Sequence, residues 1–181
     1  MTDPIAAWHT EHAYFAQLLR LLRKEVDVFH AGGEPNYELM VDVLRYLREY
    51  SDRVHHPRED IAFARLARHC PDLRLVLSRL QQEHRVIAAA GEELLAKIEA
   101  VVGGEVVPRE HVEAAAATYL VYYESHLAKE EAEVLDRARA HLTPTDWDAV
   151  RSGITALPDP LFGRDPQERF RGLRRQIARE S

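Results

Sequence analysis

Apolar residues recur along this chain at spacings of three and four, the period of a helix that buries one face. Ile5, Trp8, Phe15, Leu18, Leu19, Leu22, Val26 and Phe29 form the first stripe, opened by Asp3-Pro4, a cap followed by proline at the first helical position. Gly32-Gly33-Glu34-Pro35 ends it. A second stripe starts near Asn36, runs through Leu39, Val43, Leu44 and Leu47, and resumes at Phe63, Leu66 and Ala67 before His69-Cys70-Pro71-Asp72 breaks it. A third helix is predicted from about residue 72 to Val102, stopped by Gly103-Gly104, and a fourth from about Pro108 to His141. Strand-like alternation is nearly absent. Four long helices with short loops predict an all-α protein, an up-down-up-down four-helix bundle over residues 1–142.

After Leu142 the texture changes. Thr143-Pro144-Thr145-Asp146 has the form of a helix start, and Leu157-Pro158-Asp159-Pro160 that of a linker. Residues 164–181 are rich in arginine, with Phe170, Leu173 and Ile177 on one helical face. The extension, residues 143–181, is expected to form short helices packed on the bundle; the alternative is a helix that meets a protein partner or a membrane surface.

The second helix contains an interruption, Arg53-Val54-His55-His56-Pro57-Arg58-Glu59-Asp60. Proline inside a helix removes a backbone donor and clashes with the preceding turn, at roughly 3 kcal/mol. Taken alone, Pro57 is a helix start. Its neighbours become informative when the two halves of the chain are compared. Glu11-His12 recurs as Glu83-His84, and His55-x-x-x-Glu59 recurs as His126-x-x-x-Glu130. His12 and His55 are 43 residues apart, and His84 and His126 are 42 apart. At 1.5 Å per residue, about 27 Å of helix leads from His12 to the first turn, and a similar length leads back to His55. All four histidines are therefore predicted to meet in one layer. Residues four apart share a helix face, so Glu59 and Glu130 join them. This register favours a second helix that continues through Pro57, bent there. His55 is then the inward histidine and His56, about 100° round, lies on the flank.

Four imidazoles and two carboxylates buried without a metal would carry a large desolvation cost. Ten histidines in 181 residues fit metal chemistry. The pattern H…HxxxE…H…HxxxE on four helices resembles the hemerythrin-like (HHE cation-binding) family over residues 4–142. That resemblance implies a non-haem di-iron centre, two Fe ions bridged by two carboxylates and an oxo or hydroxo group. His12 and His55 would serve one iron and His84 and His126 the other, with Glu59 and Glu130 bridging. His and carboxylate donors also admit Zn or Mn. The chain departs from the oxygen-carrying members at two places. Ala88 stands where they have a further histidine, and their last acid lies five residues after its histidine, which would select Glu131 rather than Glu130. The HxxxE repeat favours Glu130. The ferritin-like ExxH arrangement is not present, and a three-ligand zinc site would leave the twofold repeat unexplained.

Among neighbouring residues, Tyr122 lies one turn before His126 and is a candidate to hydrogen-bond an oxygen species or ligate iron; the alternative is a core tyrosine. Glu11 and Glu83 are expected to face solvent, the alternative being a proton relay; His9 is a candidate alternate ligand to His12; and Cys70 is expected to be a packed small residue at a helix end rather than a redox thiol.

The remaining composition narrows the function. A net charge of −6 argues against a nucleic-acid partner. No apolar run reaches the roughly 18 residues of a membrane span, and the N-terminus lacks the basic and apolar regions of a signal peptide. A single cysteine fits a reducing compartment, so a cytoplasmic protein is expected. Two functions fit the predicted site: a di-iron protein that binds or reduces dioxygen, peroxide or nitric oxide, or an iron, oxygen or redox sensor acting through a partner at the C-terminal segment.

Overall fold

Helix α1 (Pro4–His30) begins where its cap predicts: Asp3 accepts from the Ile5 amide at 3.0 Å, and Pro4 occupies the first turn. The computed structural model describes residues 3–155 and 157–180. Residues 1–2 and 181, the outer bounds of the two expected segments, and Ala156 lie outside the described residues. All regular structure among the described residues is helical. Helix α1 ends in a left-handed Gly32 (φ 83°), with Gly33 N–H on Val28 O and Gly32 N–H on Phe29 O. Helix α4 (Arg74–Val102) ends the same way at Gly104 (φ 84°), with Glu105 N–H on Ala100 O and Gly104 N–H on Val101 O. Both turns satisfy the last carbonyls through a glycine that tolerates positive φ. The sequence repeat thus extends to the turns.

The second predicted helix is one uninterrupted run built from three pieces. Helix α2 (Tyr37–Tyr46) is capped by Asn36, a π-helical segment spans Leu47–His55, and α3 (His56–His69) follows directly. The proline therefore falls at the junction of the π segment and α3, inside the continuous run, where its ring and missing N–H meet the preceding turn. The wider π turn ahead of it, in which His56 N–H reaches Ser51 O, accommodates the change. Beyond Cys70, which is buried as expected, a 3₁₀ turn at Pro71–Leu73 leads into α4. Helices α5 (Arg109–Glu133) and α6 (Leu135–His141) make up the fourth predicted run.

The core is split in two. One apolar cluster contains Ile5, Trp8, Phe63, Leu66, Leu80 and Leu135. The other contains Phe15, Leu18, Leu44, Ile87, Tyr119 and Tyr123. Between them lie the buried polar residues His12, His55, His56, Glu59, His84, His126 and Glu130. Along α1 the order is Trp8, His12, Phe15, so helical periodicity alone sets the histidine at a core level.

Helix α7 (Pro144–Gly153) starts with a Thr143–Asp146 capping box and packs on α3, where Asp146 also meets His69 at 3.0 Å and Arg65 at 3.3 Å. Helix α8 (Arg171–Glu180) packs on α2, and Phe170, Leu173 and Ile177 are buried. That apolar face is covered by the chain itself, which removes the basis for a membrane-surface helix. None of the described helices is long and apolar enough to cross a membrane.

Candidate metal centre

The π segment, α1, α4 and α5 each deliver one histidine to a common layer, and the inner nitrogens converge. His12 Nε2 and His55 Nε2 are 2.9 Å apart. Two nitrogens bound at right angles about 2.1 Å from one cation would lie about 3.0 Å apart. Glu59 faces both hairpins: Oε1 is 3.0 Å from His55 Nε2 and 3.3 Å from His12 Nε2, while Oε2 is 3.5 Å from His84 Nε2. Glu130 mirrors it, with Oε1 3.1 Å from His126 Nε2 and 3.5 Å from His84 Nε2, and Oε2 3.6 Å from His12 Nε2.

Several of these atoms lack hydrogen bonds. Among the described residues, Glu59 Oε2, His84 Nε2, His126 Nε2 and both Glu130 oxygens are buried without one. Leaving a buried polar group unsatisfied costs about 1–3 kcal/mol, more when it is charged. Native structures do not accumulate such atoms in one place without a partner. The donor atoms of His12, His55 and Glu59 form one close group, and those of His56, Glu59, His84 and His126 another. The buried His and Glu groups fit a metal site.

Each outer nitrogen is held by a carboxylate. His12 Nδ1 lies 2.7 Å from Glu131, His55 Nδ1 2.5 Å from Glu11, His84 Nδ1 2.9 Å from Asp60, and His126 Nδ1 3.2 Å from Glu83. On a neutral ring this arrangement keeps the proton on Nδ1 and turns Nε2, the atom a cation would bind, toward the cluster. The pairing crosses the molecule in a regular way. The acid before each lone histidine holds the histidine of the HxxxE pair in its own hairpin. The acid after each HxxxE pair holds the lone histidine of the other hairpin.

Burial opposes charge on His12, His55, His84, Glu59 and Glu130, and the facing groups more than offset it; His56, which faces other imidazoles, is instead held well below the usual histidine range by burial and by His84. The Glu131 and Glu59 carboxylates hold the His12 imidazole up at about 10 against its burial. Asp60, Glu130 and Glu59 hold His84 up at about 11. Glu59 is kept well below the usual carboxylate range in spite of its burial, by His55 and His12. Glu130 is lowered too, against burial and the like charge of Glu59, by His126. In the metal-free protein, protons on His12, His55 and His84 thus balance the two carboxylates.

The structure brings His12, His55, Glu59, His84, His126 and Glu130 together, all buried. Glu130 faces the layer, whereas Glu131 lies outside it between His12 and His9. His9 meets only the outer side of Glu131, at 2.6 Å, and does not reach the cluster. Three expectations need correction. Tyr122 is 46% exposed, because the register of α5 turns Tyr123 inward instead. Glu11 and Glu83 do not face solvent but hold His55 and His126. His56 is not on a flank: it is 3% exposed and stacks on His84 at 4.2 Å with the rings 8° from parallel. The π segment explains this, since a wider turn rotates less per residue and lets His55 and His56 both point inward. The signal for the outer acids was present as Glu59-Asp60 and Glu130-Glu131, an acid after each HxxxE pair.

Residues 3–138 match the family model of the hemerythrin HHE cation-binding domain. Comparison with curated proteins and with solved structures gives no match.

Proposed function

Because the chain belongs to the hemerythrin HHE cation-binding domain family, we propose that its polar layer holds two iron ions, between four helical runs arranged up-down-up-down, and handles a small oxidant. His12 and His55 would hold one ion, His84 and His126 the other, and Glu59 and Glu130 would span both. The observation that carries this reading is the convergence of four Nε2 atoms on two carboxylates, with a carboxylate behind every ring. Bound iron would supply electrons and open coordination positions for dioxygen, peroxide or nitric oxide.

The chain's own residues set what can reach that layer. Apolar clusters close it on both sides along the helices and keep bulk water out. A groove of about 580 Å³ between α1 and α5 has His12 on its wall, with Ala13, Ala16, Leu127 and Ala128 beside it. Its lining is mixed, the small apolar residues sitting beside Arg20, Glu124, Glu131 and His9.

Anaerobic reconstitution with Fe(II) should load two irons per chain, and His55→Ala or His126→Ala should each reduce that uptake. Mixing the loaded protein separately with dioxygen, hydrogen peroxide and nitric oxide should produce charge-transfer bands in the near ultraviolet with at least one of them. Full iron loading with no spectral response to any of the three would overturn the oxidant reading and leave cation binding alone.

A further inference from the structure

Helix α7 lies beyond residues 3–138, the part of the chain that matches the family model, and it forms one wall of a second cleft. The cleft has a volume of about 310 Å³ and lies between the start of α1, the junction of the π segment with α3, and α7. Trp8, Val54 and Val150, all buried, line it together with Trp147. The two indoles meet edge to face, with centroids 5.4 Å apart and planes at 71°. Helix α7 does not close onto this space because α3 holds it at both ends. Asp146 meets His69 and Arg65 at one end. At the other, Gly153 approaches α3 so closely that a Cβ there would lie 2.5 Å from Ile61 Cδ1. A cleft braced in this way is preformed, and its volume falls within the range of small-molecule sites.

The charged residues of the lining are Arg58 and Arg151, in a chain whose net charge is −6. Arg58 is committed, with Nε on Val54 O at 3.1 Å and Nη2 on Glu11 at 2.5 Å. Arg151 pairs with Asp148, three residues earlier on the exposed side of α7. A surface pair of this kind is worth little, so its carboxylate is readily exchanged for another. Apolar walls with two indoles favour an aromatic body, which stacks edge to face or offset against them. A planar guanidinium receives a carboxylate through two parallel N–H bonds. We infer that this cleft binds a small aromatic carboxylate, its ring against Trp8 and Trp147 and its carboxylate on Arg151, with Arg58 adding positive charge beside it. The site is separate from the polar layer and stands whether or not that layer holds metal.

Both tryptophans of the chain line the cleft, so indole emission reports its occupancy. Phenylpropionate added to the full chain should change that emission saturably and bind at least tenfold tighter than phenylpropanol, its uncharged counterpart. Arg151→Gln should remove most of this preference for the acid and leave the melting temperature at the wild-type value. Trp147→Leu should weaken both probes at least fivefold in calorimetry. No saturable response to phenylpropionate, or equal affinity for the acid and the alcohol, would overturn the inference. An acid preference unchanged in Arg151→Gln, or wild-type binding by Trp147→Leu, would also overturn it by putting the probe elsewhere. Hexanoate bound as tightly as phenylpropionate would overturn the choice of an aromatic ligand.

Discussion

Glu11 is a carboxylate with three partners: His55 Nδ1 at 2.5 Å, Arg58 at 2.5 Å and the Tyr50 hydroxyl at 3.1 Å. His55 and Arg58 depress its pKa even though burial works the other way, so it stays charged where it faces the imidazole. A charged acceptor at Nδ1 fixes the tautomer and makes Nε2 a stronger donor. Removing it by Glu11→Ala should weaken binding of the His12–His55 ion by about 10- to 100-fold, read by competition with a chelator of known affinity; unchanged affinity would show that packing alone orients the ring. At this scale six of the seven inward residues were legible in the sequence, because the HxxxE repeat and the matched spacings are one-dimensional records of a shared level. The role of Glu11 was not. A residue 100° round from an inward histidine looks solvent-facing on an isolated helix, but in a bundle that direction meets the neighbouring helix. The same holds for Glu83 and His126.

The run from Tyr37 to His69 shows what one proline can set at the level of an element. Pro57 lacks an N–H, and the chain upstream is π-helical over Leu47–His55. Within that segment Leu47, Tyr50, Ser51, Val54 and His55 are buried, the same i, i+3, i+4, i+7, i+8 stripe that an α-helix buries, and His56 directly after it is buried as well. Nine residues are too few for a change of period to show against the 3.6 pattern on either side, which is why the sequence predicts a bent α-helix and an outward His56. The helices themselves and their glycine turns were legible, since caps and breakers are local signals. Pro57→Ala returns a backbone donor to the run. The π segment should then shorten toward α geometry and turn His56 away from His84. The new backbone amide at position 57 should be protected in hydrogen exchange, and uptake of the second metal ion should weaken. An unprotected amide at that position, with wild-type uptake, would mean that the polar layer, not the proline, sets the widened turn.

For the whole molecule, the polar layer is a break in an otherwise continuous core, and its occupant decides how much that break costs. Without metal, protons fill the role: the carboxylates hold His12 up to about 10 and His84 up to about 11, and both imidazoles are charged at neutral pH. Because these folded-state values lie above the ordinary 6.5, their contribution to the stability of the metal-free protein is complete below about pH 6.5 and is lost as pH rises through 10 to 11. A cation needs the Nε2 lone pairs that those protons occupy, so loading must displace them. Metal binding at pH 7 should therefore release protons, seen in calorimetry as a binding enthalpy that changes with the ionisation enthalpy of the buffer. The loaded protein should also melt higher. Free metal at 100 times its dissociation constant contributes about 2.7 kcal/mol, which for a chain of this size corresponds to roughly 5–10 °C. Chelation should reverse the shift. Equal melting temperatures with and without metal, and a buffer-independent enthalpy, would show that the cation binds at the surface and that the buried layer is held together by its own protons.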